Sequence, residues 1–431
     1  MTVNDRRLFE FLDARAGHAG PDYLNDILAR TRRTRQRPAW TSIERWLPVD
    51  ISAYRSGMIR PLPWRTVTAF VILALLVAVL VAVAVASRRP LPPPYGLAAN
   101  GPLVLSVDGD LYAVEPGSWK SHPIISGGKF DFGATYSRDG SKIMFLRADR
   151  PIADGTDPLL TLAVANADGT GIRELTSPLL ALDWLDWSPD GSQIVFVAAS
   201  DGERGVIHVA NTDGSGVMAL DLGLHAHFVT WLPPDGREIV FRSEPTSGSP
   251  QDVGIYAVRP DGTGLRMLSH ERPNNEFDYQ SLTASPDGRW LSFTRWFGDG
   301  RPRVFLLDVA SGDERILPTA AGMAQRGGAA FSPDGKTIAY AQIDPVGTFQ
   351  AVVAPLDGSN TGVPIGPTGH GTPAGGEIGV SLAFSPDGTA LIERLGADDD
   401  STYWWLPIDG SAGSVIGAGS FAFFDVQRLG R

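Results

Sequence analysis

From about residue 100 onward the chain is written in short apolar runs separated by tight polar clusters rich in Gly, Asp and Ser. "QIVFVA" (193–198) and "TIAYAQ" (337–342) are typical. Runs of this length, bounded by turn residues, predict buried strands rather than helices. Nearly the same turn precedes each run: "YSRDGSKIMF" (136–145), "WSPDGSQIVF" (187–196), "FSPDGKTIAY" (331–340) and "FSPDGTALIE" (384–393). In Ser-Pro-Asp-Gly, Pro presets φ at the second turn position and Asp bonds its own backbone. Gly supplies the left-handed residue on exit. The turn aspartates are Asp139, Asp190, Asp235, Asp287, Asp334 and Asp387, at intervals of 51, 45, 52, 47 and 53 residues. A repeat of this length built from short strands predicts the blade of a β-propeller. These aspartates are read as turn structure, and the aromatics before the turns (Tyr136, Trp187, Phe331, Phe384) as packing between blades.

A second turn recurs in every unit, as in "NADGTG" (166–171), "NTDGSG" (211–216) and "RPDGTG" (259–264). Each unit therefore reads strand A, S-P-D-G turn, strand B, long loop, strand C, D-G turn, strand D. The ends complete the count. Residues 101–125 supply strands B, C and D with no strand A, and "GSFAFFDVQ" (419–427) supplies a strand A with nothing after it. Six full units and one split unit predict an all-β, seven-bladed propeller over 101–428, closed by its last strand; six blades is the alternative if 101–125 is a leader. Closure would remove the exposed edges.

The "FSPDGKTIAYA" pattern resembles the WD40-like PD40 repeat of TolB-type propellers over about 102–427. The resemblance implies the fold. The α/β domain that precedes the propeller in that family is expected to be absent, with an anchor in its place, so its partners are not carried over.

Residues 66–87, "TVTAFVILALLVAVLVAVAVAS", hold no charge over 22 positions. As a continuous helix they would span about 33 Å, enough for a hydrocarbon core. The sequence therefore predicts a single transmembrane helix at 66–87, in contact with membrane lipid; a cleaved signal peptide is the competing reading. Cations at Arg45, Arg55, Arg60 and Arg65 place the N-terminus inside and the propeller outside the cell membrane. Residues 88–100, with "RRPLPPPYG", are expected to form a stiff spacer. Residues 1–65 read as short cytoplasmic helices.

Charge and composition narrow the function. Residues 1–65 carry 12 Arg against 7 acidic residues, whereas 90–431 carry 23 Lys and Arg against 41 acidic residues. An acidic propeller is a poor partner for nucleic acid, which needs cations on phosphate. Cysteine is absent, which excludes disulfides and thiol chemistry. No G-x-S-x-G, H-E-x-x-H or Walker pattern occurs. No cofactor or metal is expected: His225 and His227 share a strand face but lack a third ligand, and the acidic loops miss EF-hand spacing.

The repeat places A–B and C–D turns on one face and the irregular B–C and D–A loops on the other. Variable loops on a rigid scaffold are where binding resides. The residues singled out there are His227, His270, Glu271, Asn275, Glu276, Asp278, Arg326 and Glu377. The expected function is binding of a protein, peptide or glycan at the cell envelope, with relay to the inner segment as its extension. An envelope hydrolase or lyase with a channel-mouth site and an assembly scaffold are the alternatives.

Overall fold

The computed structural model describes residues 68–78 and 91–431, apart from 152–157, 180, 200–204, 245–252, 271–280, 298–300, 372–378, 398–399 and 420–423. The chain divides into two compact units, Met1–Val85 and Ala86–Arg431.

The larger unit is a seven-bladed β-propeller. Among the described residues, 28 strands form seven four-stranded antiparallel sheets. Six sheets are made from consecutive strands. Blade 1 shows the plan: β4 (Phe130–Tyr136), β5 (Lys142–Ala148), β6 (Leu160–Asn166) and β7 (Arg173–Glu174) lie in that order as strands A to D. The seventh sheet is split. Its order is β28 (Asp425–Leu429), β1 (Ala99–Val107), β2 (Asp110–Val114), β3 (Ser121–Ile125). The C-terminal strand thus pairs antiparallel with β1, Leu103 facing Val426, and shuts the ring. The closing strand lies a few residues beyond the expected 419–427, because the chain through Gly419 still belongs to strand D of the preceding blade, β27 (Ser414–Gly419).

The unbroken apolar runs arise because each middle strand is covered on both sides. In β9 (Gln193–Ala199), Ile194 and Phe196 pack with blade 1 around Leu146, Leu162 and Trp187. Val195 and Val197 point the other way, into blade 3, with Trp231, Ile239 and Phe241. Similar apolar clusters fill the other gaps between neighbouring blades. Outer strands face solvent and lose this pattern: in β11 (Val217–Leu220) only Leu220 is buried.

The S-P-D-G turn is a closed hydrogen-bond unit. At residues 188–193, Ser188 Oγ donates to Asp190 Oδ1 at 2.7 Å and accepts the Gln193 N–H at 2.9 Å. Asp190 Oδ1 also accepts the Ser192 N–H at 3.0 Å. Asp139, Asp287, Asp334 and Asp387 repeat the serine bond at 2.5–2.7 Å. Asp235 follows "LPP" instead and accepts the Arg237 N–H, at 3.2 Å, with its carboxylate paired to the Arg237 side chain at 2.8 Å. Burial pushes the carboxyls of Asp139, Asp190, Asp334 and Asp387 up, but the serine and backbone donors outweigh it and hold them below the usual range.

The expected transmembrane helix is corrected. Among the described residues no helix is long and apolar enough to cross a membrane. The described helix covers 68–78, 11 residues, about 16 Å at 1.5 Å per residue and half of a ~30 Å hydrocarbon core. The sequence reading measured apolarity, whereas spanning also requires helix length. The single-pass membrane placement, with its inside–outside orientation, falls with it.

Candidate functional site

Neighbouring A strands line a central channel, and its two ends differ in chemistry. Toward the B–C and D–A loops, strand A carries a bulge in several blades. The ladder slips between Phe132 and Thr135, Asp183 and Asp186, His227 and Val229, and Arg326 and Ala329. Each slip holds one residue in the left-handed region. In blades 1 and 5 it is a glycine, Gly133 (φ 69°) and Gly327 (φ 70°). In blades 2 and 3 it is aromatic: Trp184 (φ 47°) in β8 (Ala181–Trp187) and Phe228 (φ 48°) in β12 (His225–Trp231). A bulky residue there costs on the order of 1–3 kcal/mol. The two rings meet, with centroids 3.9 Å apart. His227 joins them edge-on, 4.4 Å from Phe228, and accepts the Trp184 Nε1–H on Nε2 at 3.4 Å. That bond requires Nε2 to be unprotonated.

Of the residues singled out in the sequence, the structure gives a side-chain environment to His227 alone. His270 ends β15 (Arg266–His270), where its backbone faces Gly254, and Arg326 faces Ala341 at the bulge in β20 (Ala324–Phe331). Glu271, Asn275, Glu276, Asp278 and Glu377 lie outside the described residues. Among the described residues no group of three or more His, Asp or Glu is placed to hold a metal ion.

The opposite end, at the S-P-D-G turns, opens into a cavity of about 280 Å³. Blades 4 to 6 give it an apolar wall that includes Ala284, Phe331, Leu382 and Phe384. Blades 7 and 1 give it a charged wall: Tyr136, Arg138, Asp425 and Arg428. The sequence signal for this wall is a departure from the repeat, since Arg138 stands where other turns carry Pro. Its guanidinium donates to Asp186 Oδ1 at 2.6 Å. Asp186 Oδ2 in turn accepts from Thr230 Oγ1 at 2.8 Å and from the Trp231 N–H at 2.9 Å, which ties blade 2 to blade 3. Asp425 makes the equivalent tie from the closing strand, accepting the Tyr136 N–H at 2.9 Å.

Titration at this end follows burial and charge. Burial pushes Asp425 up to about 6, against the Tyr136 N–H and Arg138, which pull it down. Burial also lowers Arg428 to about 10, helped by the like charge of Arg138. Arg138 itself is raised: burial opposes its charge, but Asp186, Tyr95 and Asp425 hold it.

The segment expected to be a spacer lies across this mouth. Arg428 donates to the carbonyls of Pro93 and Gly96 at 3.0 and 2.8 Å, and the Ala98 N–H donates to Pro386 O at 2.8 Å. Tyr95 between them lies 5.7 Å from the Arg138 guanidinium. Sequence reasoning missed Tyr95 because a proline-rich stretch reads as linker, and missed Trp184 because backbone strain leaves no mark in composition.

No protein-family model and no curated protein matches the sequence. Solved structures match the fold. A prolyl endopeptidase structure aligns at 14% identity and TM-score 0.50, covering 77% of this chain and 50% of its own. TolB from Acinetobacter baumannii aligns at 17% identity and TM-score 0.49, covering 77% of this chain and 80% of its own. An oligogalacturonate lyase in complex with manganese aligns at 17% identity and TM-score 0.45, covering 56% of this chain and 70% of its own. At such identities the likeness extends to the fold alone.

Proposed function

We propose that this protein is a binding module that receives a peptide or glycan segment of its partner at the loop-bearing end of the channel. The observation that supports this most is the strained aromatic cluster of Trp184, Phe228 and His227. Left-handed backbone at two bulky residues is unfavourable, and the equivalent positions in blades 1 and 5 avoid it with glycine. Strain retained in adjacent blades, next to variable loops, is the pattern of a ligand platform. Phe228 is buried, so the faces on offer are those of the partly exposed Trp184 and His227, which suit apolar side chains and sugar rings alike.

The test is capture of ligands from peptide and glycan arrays by the wild-type protein and by Trp184→Gly. Glycine relieves a left-handed cost of about 1–2 kcal/mol, offsetting part of the lost ring packing, so the variant should fold. The expected result is a defined ligand set bound by the wild type and lost in Trp184→Gly. Equal capture by both proteins removes the platform, and chemical turnover of a captured ligand assigns the protein to the enzymes that share its fold.

A further inference from the structure

We infer that the cavity at the S-P-D-G end is a second binding site, for a small monocarboxylate with an apolar body. It stands apart from the loop-end platform, across the channel. The fold leaves two donors unmet there. Tyr95 Oη and Arg138 Nε are both buried without a hydrogen-bond partner, and both residues line the cavity. A buried donor without an acceptor costs about 1–3 kcal/mol, so two in one lining call for an acceptor between them.

Several donors and acceptors of this wall are already engaged. Arg138 reaches Asp186 through Nη2. Arg428 donates to Pro93 and Gly96, and its Nε donates to Arg138 O at 3.0 Å. Asp425 accepts from Tyr136 and from its neighbour's N–H. The charged groups that line the cavity are two arginines against one aspartate. Asp186 lies behind the lining and is engaged by three donors. Asp186 and Asp425 balance the two arginines, so what the wall offers a ligand is the charge-assisted Arg138 Nε–H beside the Tyr95 hydroxyl, two donors that suit the two oxygens of one carboxylate. Across from it, Ala284, Phe331, Leu382 and Phe384 are only partly buried by the protein and offer apolar surface to the rest of the ligand. The volume, about 280 Å³, sits at the lower edge of small-molecule sites, roughly 300–1,000 Å³. Residues 93–96 lie over the cavity as a strap, with Tyr95 as its inward side chain. A ligand enters beneath it as a free acid or as the C-terminal carboxylate of a peptide.

Calorimetric titration of the whole chain tests this with four probes: phenylacetate, phenylacetamide, and a tripeptide ending in leucine as free acid and as amide. Tyr95→Phe removes only the unpartnered hydroxyl and, with that unmet donor gone, should hold or raise thermal stability. The expected result is saturable binding of at least one acid, tenfold or more weaker binding of its amide, and a tenfold or greater loss in Tyr95→Phe. Binding of phenylacetate identifies a free acid as ligand; binding of the peptide acid alone identifies a chain terminus. Equal binding of acids and amides, no binding of either acid at millimolar concentration, or wild-type affinity in Tyr95→Phe overturns the proposal.

Discussion

Ring closure can be tested at one methyl group. Gly140 ends the turn of blade 1 with φ 71°, and a Cβ placed there would lie 2.0 Å from the carbonyl oxygen of Arg428. The obstacle is backbone of the closing strand, so no rotamer change relieves it. Gly191 ends the same turn in blade 2 with φ 66°, yet its Cβ would meet nothing closer than Ser137 Cβ at 3.6 Å. Both Gly→Ala substitutions incur the left-handed cost of about 1–2 kcal/mol. Only Gly140→Ala must also move β28 or open the turn. That movement strains the bonds from Gln427 Nε2 to Gly140 O at 2.7 Å and from Arg428 Nε to Arg138 O at 3.0 Å, each worth about 0.5–1.5 kcal/mol. The expected excess of Gly140→Ala over Gly191→Ala is therefore about 1–3 kcal/mol. At about 2.1 cal/mol/K per residue, a unit of roughly 340 residues shifts its Tm by about 1.4 °C per kcal/mol, so the two variants should differ by about 1–4 °C. Scanning calorimetry resolves this. Equal destabilisation within about 0.5 kcal/mol would show that the C-terminal strand does not press on the blade 1 turn, and the closure geometry would be wrong.

Two further outcomes follow from buried charge. Asp425 has a native value of about 6 against 3.8 when unperturbed, so the native state holds the proton more tightly. The resulting stabilisation is complete below about pH 4 and is lost as pH rises to about 6, by at most ~3 kcal/mol; the stability difference between wild type and Asp425→Asn, measured by urea unfolding at each pH, should change across that window and be flat above it. Arg295, 4% exposed, pairs with Glu314 at 2.5 Å and lies 4.9 Å from the ring centroids of both Phe293 and Phe305. Glu314→Ala should lower stability by about 3–5 kcal/mol, because a buried cation loses the carboxylate that both its terminal nitrogens reach; a change below 1 kcal/mol by the same unfolding assay would contradict the burial of this pair.

The blades were legible because their signals are local. Ser188, Pro189, Asp190 and Gly191 each have a role within one turn, and the "QIVFVA" run reflects two covered faces of one strand. The closing strand was legible in kind but displaced in register, since only its pairing with β1 selects Asp425–Leu429. The channel chemistry was not legible. Arg138 and Asp186 are 48 residues apart and meet only because their blades are neighbours. Tyr95 joins them from a segment whose prolines suggest a spacer. The apolar stretch at 66–87 suggested a span on hydropathy alone, whereas the helix among the described residues covers 68–78.

The split sheet has a consequence for how the molecule is made. Six blades can form from contiguous stretches as the chain leaves the ribosome, each on its predecessor. The sheet containing β1, the first propeller strand synthesised, must wait for residues 425–429 before its inner edge is covered. Until then that edge is open to pairing with another nascent chain. Loss of the final handful of residues would therefore leave six blades with sound sequences and a particle prone to aggregate, whereas a nick in a loop between complete blades would be far better tolerated.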